Sequence, residues 1–183
     1  ETGERLQLAL SAANDSIAER SDKEPGLQGM GCTLVGLQLS GDRLDWISVG
    51  DSPLWLYTSG ALRRLNEDHS MTPLLQARVE RGEMTANAAA LHPSRNALRS
   101  AVIGEDIPLV DLAFMPLQAQ PGDVVLLASD GLCSLNDAEI GYILRRNRDG
   151  DAEQMADALI GAVDALGRSD QDNTTVVVLR LDG

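Results

Sequence analysis

The chain has 183 residues, 43% of them hydrophobic but only 3% aromatic, which fits one domain, residues 1–183, with an aliphatic core. Its formal charge of −13 repels nucleic acid and anionic lipid, so neither is an expected partner. No apolar run approaches the roughly 18–20 residues needed to span a bilayer. No basic-then-apolar leader opens the sequence, and Cys32 and Cys133 form no Cys-x-x-Cys pair, so a cytoplasmic protein with unpaired thiols is expected.

From Gly3 to Glu19 the apolar residues Leu6, Leu10, Ala13 and Ile17 recur at helical spacing. After the polar stretch "RSDKEPGLQG", residues Cys32 to Glu67 alternate and are punctuated by Gly41-Asp42 and Ser59-Gly60. That pattern predicts an antiparallel meander of four strands. Met71 to Ala90 reads as two short helices broken at Gly82, the second capped by Thr85. "LHPSRNALRSAVIG" has a Pro-Ser start and a Gly end, which predicts a third short helix. "PLVDLAFMPLQ" alternates again, "PGD" at 121–123 is a turn, and "VVLLAS" is a buried strand. Asn136 or Asp137 caps a helix running to Arg146, and "DAEQMADALIGAVDALG" is an amphipathic helix ending at Gly167. "NTTVVVLRL" closes the chain as a β-branched strand. Strands in runs and helices in runs predict an α+β fold with antiparallel sheets and helices outside them.

Three aspartates sit where a strand meets a turn: Asp51 after "LDWISVG", Asp130 after "VVLLAS", and Asp172 before "NTTVVVLRL". Carboxylates bunched at one sheet edge repel one another, and a hard divalent cation such as Mg²⁺ or Mn²⁺ relieves that cost. Each is equally compatible with an ordinary turn. His69 and His92 lie apart and read as structural. No zinc helix pattern, Gly-x-Ser-x-Gly elbow or P-loop is present, and Cys133 lacks the setting of a nucleophile.

Taken in order, "GMGCTLVG" (29–36), "WISVGDSPLWLY" (46–57), "LRRLNEDHSM" (62–71), "ERGEMT", "HPSRNALRSAVIG", "PGDVVLLASDGLCSLNDAEI" (121–140) and "DQDNTTVVVL" (170–179) resemble the metal-dependent serine/threonine protein phosphatases of type 2C, the PPM family, in its compact bacterial form. The resemblance spans nearly the whole chain. It implies a layered α-β-β-α sandwich of two mainly antiparallel sheets flanked by helices. It also implies hydrolysis of phosphoserine and phosphothreonine on proteins, by a water that two Mg²⁺ or Mn²⁺ ions activate. Carried over by position, Asp130 and Asp172 match core metal ligands. Asp51 matches the aspartate that helps hold a third, weaker ion in bacterial members. Residues His69 to Gly104 match the flap beside the substrate entry. The implied partner is a phosphorylated protein, in opposition to a serine/threonine kinase.

The family's opening segment, with a phosphate-binding arginine and an Asp-Gly-Met-Gly-Gly motif, has no match here. Gln28 stands before Gly29-Met30-Gly31 where that aspartate would be, Cys32 replaces a threonine, and Pro53 replaces an arginine. The expectation is a piece of a longer domain whose first strands are missing, weak in core metal on its own. The other reading is a catalytically silent phosphatase-like module that binds phosphoproteins or regulates a partner.

Overall fold

The structure, a computed structural model, describes residues 2–113 and 115–181. These form two compact units: Glu1–Gln38, Asp45–Asp51 and Glu67–Phe114 make the first, and Leu39–Leu44, Ser52–Asn66 and Met115–Gly183 the second. Helices and two antiparallel sheets give the α+β class implied by the sequence. No helix among the described residues is long and apolar enough to cross a membrane.

The first helix, α1 (Thr2–Lys23), extends a turn beyond the apolar pattern. Its last turn is laced by Glu19–Lys23 and Arg20–Glu24 pairs at helical spacing, each worth only a few tenths of a kcal/mol. Leu10, Leu6 and Ile17 bury the helix's inner face against Ile47, Val49 and Val102. Asn14 fastens the same helix to a distant loop, accepting from Gly104 N at 2.9 Å and donating to Glu105 O at 2.8 Å.

Strands β1 (Leu34–Ser40), β2 (Arg43–Val49), β3 (Leu54–Thr58) and β4 (Ala61–Arg64) occupy the predicted region. They do not form one meander. β1 and β2 belong to one sheet, while β3 and β4 belong to another whose order is β4-β3-β7-β8. The break lies at Gly50–Pro53. Gly50 turns the chain with a φ of 99°, and Pro53 has no N–H to continue a ladder.

Helices α2 (Thr72–Glu80) and α3 (Ala86–Ala90) flank the turn at Gly82, and the Thr85 hydroxyl accepts from Ala88 N as a cap. The helix expected over 91–104 is absent. That backbone makes tertiary bonds instead: Ser70 bridges Leu98, Cys32 bridges Val102, and Arg99 N donates to His69 O at 2.8 Å. The alternating stretch after it yields only β5 (Asp111–Leu112) and β6 (Leu117–Gln118), both paired with β2. Phe114, within that stretch, lies outside the described residues.

The second unit has a core of its own. β7 (Val124–Ala128) lies between β3 and β8 (Val176–Arg180), paired along both edges, and all its residues but the half-buried Leu127 are buried. Helix α4 (Asp137–Arg146) starts at a capping box between Asn136 and Glu139. Helix α5 (Ala152–Ala165) starts at another, between Asp151 and Gln154. Ile140 and Leu144, with Met155, Leu159 and Val163, cover Trp55, Val124 and Leu126. Each such side chain contributes roughly 1.5–3 kcal/mol by leaving water. This packing makes β7 a rigid platform for the residues that follow it.

Candidate metal centre

Asp130 stands two residues beyond the last rung of the β7–β8 ladder, which ends at Ala128 opposite Val176. Ser129 carries the pairing one step further. Its N–H donates to Thr175 O at 3.0 Å, its hydroxyl accepts from Thr175 N at 2.9 Å and donates to Asn173 O at 3.0 Å. Asp130 then opens a short 3-10 turn, Asp130–Ser134, and its carboxylate is exposed. Among the described residues no hydrogen bond or ion pair holds that carboxylate.

Asp172 lies in the loop that leads into the neighbouring strand β8, three residues before Thr175. It is also exposed, and its Oδ1 accepts from Asn173 N at 2.7 Å, which fixes the side chain against its own backbone. The two loop ends abut closely. A Cβ at Gly131 would stand 2.5 Å from Asn173 O and 2.6 Å from Thr174 Oγ1. Only glycine lets the segment after Asp130 lie against the one after Asp172 this tightly.

Asp51 belongs to the first unit and is half-buried after the Gly50 turn. That turn is gripped from two sides. A Cβ at Gly50 would meet Thr33 Cγ2 at 2.4 Å, and His69 bonds Gly50 reciprocally. Gly50 N donates to His69 Nδ1 at 3.2 Å, and His69 N donates to Gly50 O at 3.0 Å. His69 is 2% exposed. Because Nδ1 accepts, the ring proton is on Nε2, which faces Glu67 Oε2 at 4.0 Å. Burial lowers the His69 pKa, against the opposing pull of Glu67 and Asp111. His92 sits apart, accepting from Ser94 N through Nδ1.

The depressed His69 value has a consequence for stability. The unfolded chain, with an ordinary histidine near pKa 6.5, takes up the proton first as pH falls. The contribution is therefore complete above about pH 6.5 and is lost as pH falls through that value towards the lower folded one. Urea unfolding midpoints should drop between pH 7 and pH 5, and His69→Asn should flatten that drop. An equal slope in both proteins would remove His69 as its source.

The 69–104 segment expected as the flap is tied at its base. Met71 N donates to Ala97 O at 2.9 Å, and the Arg99 guanidinium donates to Ser70 O at 2.9 Å and Asp68 O at 3.4 Å. Three polar residues that the sequence did not single out organise the turns. Asn66, 6% exposed, accepts from Leu54 N at 2.8 Å and donates to Ser52 O at 2.9 Å. Ser129 splices the strand ends as described, and Gln171 bonds both loops beside them. An asparagine or serine following a strand is the only local signal of such a role, and it is shared by every turn.

No three His, Cys, Asp or Glu side chains gather to hold a metal ion among the described residues. What the second unit does supply is a pair of exposed carboxylates on abutting loop ends. That oxygen-only donor chemistry fits Mg²⁺ or Mn²⁺ and does not fit a zinc site.

No family model matches the chain. Curated relatives do. The chain is 33% identical over 95% of its length to the serine/threonine protein phosphatase PstP of Mycobacterium tuberculosis, and it spans 32% of that protein. It is 33% identical over 97% of its length to the serine/threonine phosphatase stp of Listeria monocytogenes, spanning 67% of it. The crystal structure of the M. tuberculosis PstP superimposes with a TM-score of 0.83 at 32% identity, over 98% of this chain and 72% of that one. A PstP catalytic domain solved with two manganese ions matches at a TM-score of 0.69 and 30% identity, over 92% of this chain and 67% of that one. This chain belongs to the PPM-type serine/threonine protein phosphatase family.

Proposed function

We propose that the protein carrying this chain is a cytoplasmic bacterial signalling phosphatase. It removes phosphate from phosphoserine and phosphothreonine on proteins and opposes a serine/threonine kinase. The observation that carries this reading is the pair Asp130 and Asp172, two exposed carboxylates on abutting loop ends. The two manganese ions in the related PstP catalytic domain support a divalent-metal chemistry for it. In this reading Asp130 and Asp172 are ligands of two core Mg²⁺ or Mn²⁺ ions, and Asp51 is a ligand of a third, weaker one. Bound ions of this kind acidify water and offset the negative charge of a phosphoryl group.

The chain's own residues do the positioning. β7, paired with strands on both sides, keeps Asp130 at a fixed height beyond the end of an internal strand. The Asn173 N–H bond restrains the Asp172 side chain by committing one of its oxygens to backbone. The reciprocal His69 bonds hold the turn that presents Asp51. In this reading the 69–104 segment, with helices α2 and α3, is the flap that selects a protein substrate.

The test is phosphate release from phosphoserine and phosphothreonine peptides by the full-length protein. Release is expected only with added Mn²⁺ or Mg²⁺ and should stop on chelation. Release that persists in chelator would overturn the metal chemistry. Peptide binding without release would favour the phosphoprotein-binding module instead.

A further inference from the structure

We infer that Gln171 is a positioning residue that latches the Asp130 loop to the Asp172 loop and thereby sets the geometry of the metal centre; this rests on the reading of both aspartates as ligands. Its amide Nε2 donates to Gly131 O at 3.0 Å and to Asp172 O at 3.0 Å, with Thr174 Oγ1 at 3.3 Å. Its Oε1 accepts from the Ser134 hydroxyl at 2.7 Å. The orientation of the amide follows from chemistry: two carbonyl oxygens can only accept, so the NH₂ must face them. One side chain therefore holds the residue after Asp130, the backbone of Asp172 itself, and the end of the 3-10 turn that Asp130 begins.

Ser129 also bonds backbone across the same junction, but it joins the strand ends rather than the loops beyond them. Gln171 is half-buried, so its bonds are partly shielded from water. Without the latch the two loops keep their strand anchors but lose the cross-link next to the carboxylates. An ion held by both aspartates needs their separation fixed in advance. Partners that orient ligands in this way typically contribute 10–100-fold in metal affinity.

The experiment uses the full-length protein and Mn²⁺ alone as probe, with affinity read by calorimetry and phosphopeptide kinetics read beside it. Gln171→Met keeps length and bulk but removes every donor. It should weaken Mn²⁺ binding about 10–100-fold. At limiting Mn²⁺, kcat should fall, with recovery at saturating Mn²⁺ and an unchanged phosphopeptide KM. Ser134→Ala, which frees only the far end of the amide, should show a smaller loss and keeps the test open if the first variant folds poorly. Asp130→Asn is the reference. Wild-type Mn²⁺ affinity in both Gln171→Met and Ser134→Ala, alongside a loss in Asp130→Asn, overturns the latch. Wild-type affinity in Asp130→Asn overturns the metal reading itself and the latch with it.

Discussion

Asp130→Asn in the full-length protein should abolish Mn²⁺-dependent phosphate release while leaving the fold in place. The substitution is nearly isosteric and acts at an exposed side chain with no protein partner among the described residues. Stability should therefore change by no more than about 0.5 kcal/mol. β7 and its partners β3 and β8 are untouched, and so is the 3-10 turn, whose bonds come from backbone and from Gln171 rather than from the Asp130 carboxylate. What changes is the charge: a neutral amide oxygen replaces an anionic one at the proposed ion. Orienting partners behind a ligand cost roughly 10–100-fold when removed, so loss of the ligand itself should exceed that range in turnover. Initial rates over a Mn²⁺ titration, with a circular-dichroism melt on the same sample, read both halves. A wild-type rate with a wild-type Mn²⁺ requirement would take Asp130 out of the chemistry.

The elements that sequence reading found are those whose signals are local. Helices α4 and α5 announce themselves through Asn136 with Glu139 and Asp151 with Gln154, and through apolar residues at helical spacing. β7 and β8 are short apolar runs rich in branched residues. The failures come from non-local bonding. Pro93 and Gly104 look like the ends of a helix, yet Leu98 and Val102 are claimed by bridges to Ser70 and Cys32. β3 leaves the expected meander because its best partner is β7, about seventy residues on, a pairing no local pattern encodes. The site divides the same way. Asp130 and Asp172, the proposed ligands, stand out in sequence because one closely follows an obvious strand and the other shortly precedes one. Gln171 does not, because its role exists only once Gly131, 40 positions earlier, is brought beside it. His69 was legible as structural from its isolation in sequence, but not as the clamp of the Gly50 turn.

Gly131→Ala separates two opposing effects by their sign. Gly131 is not at positive φ, so alanine can adopt its backbone conformation. In open space the change would stabilise the protein by about 0.4–1 kcal/mol, because the unfolded chain loses freedom. Here the added Cβ meets Asn173 O at 2.5 Å and Thr174 Oγ1 at 2.6 Å. Those atoms cannot simply swing away. Asn173 O is held by the Ser129 hydroxyl, and Thr174 Oγ1 by Asp172 O and the Gln171 amide. Relief requires the two loops to part, and overpacking of this kind costs about 1–3 kcal/mol. The melting temperature should fall, by roughly 2–4 °C per kcal/mol for a domain of this size. If Asp130 and Asp172 share an ion as proposed, the Mn²⁺ requirement should rise in parallel, because the segments that follow them must part. A higher melting temperature with unchanged Mn²⁺ binding would mean that the loops do not meet at Gly131, and the proposed centre would lose the contact between the segments that follow its two aspartates.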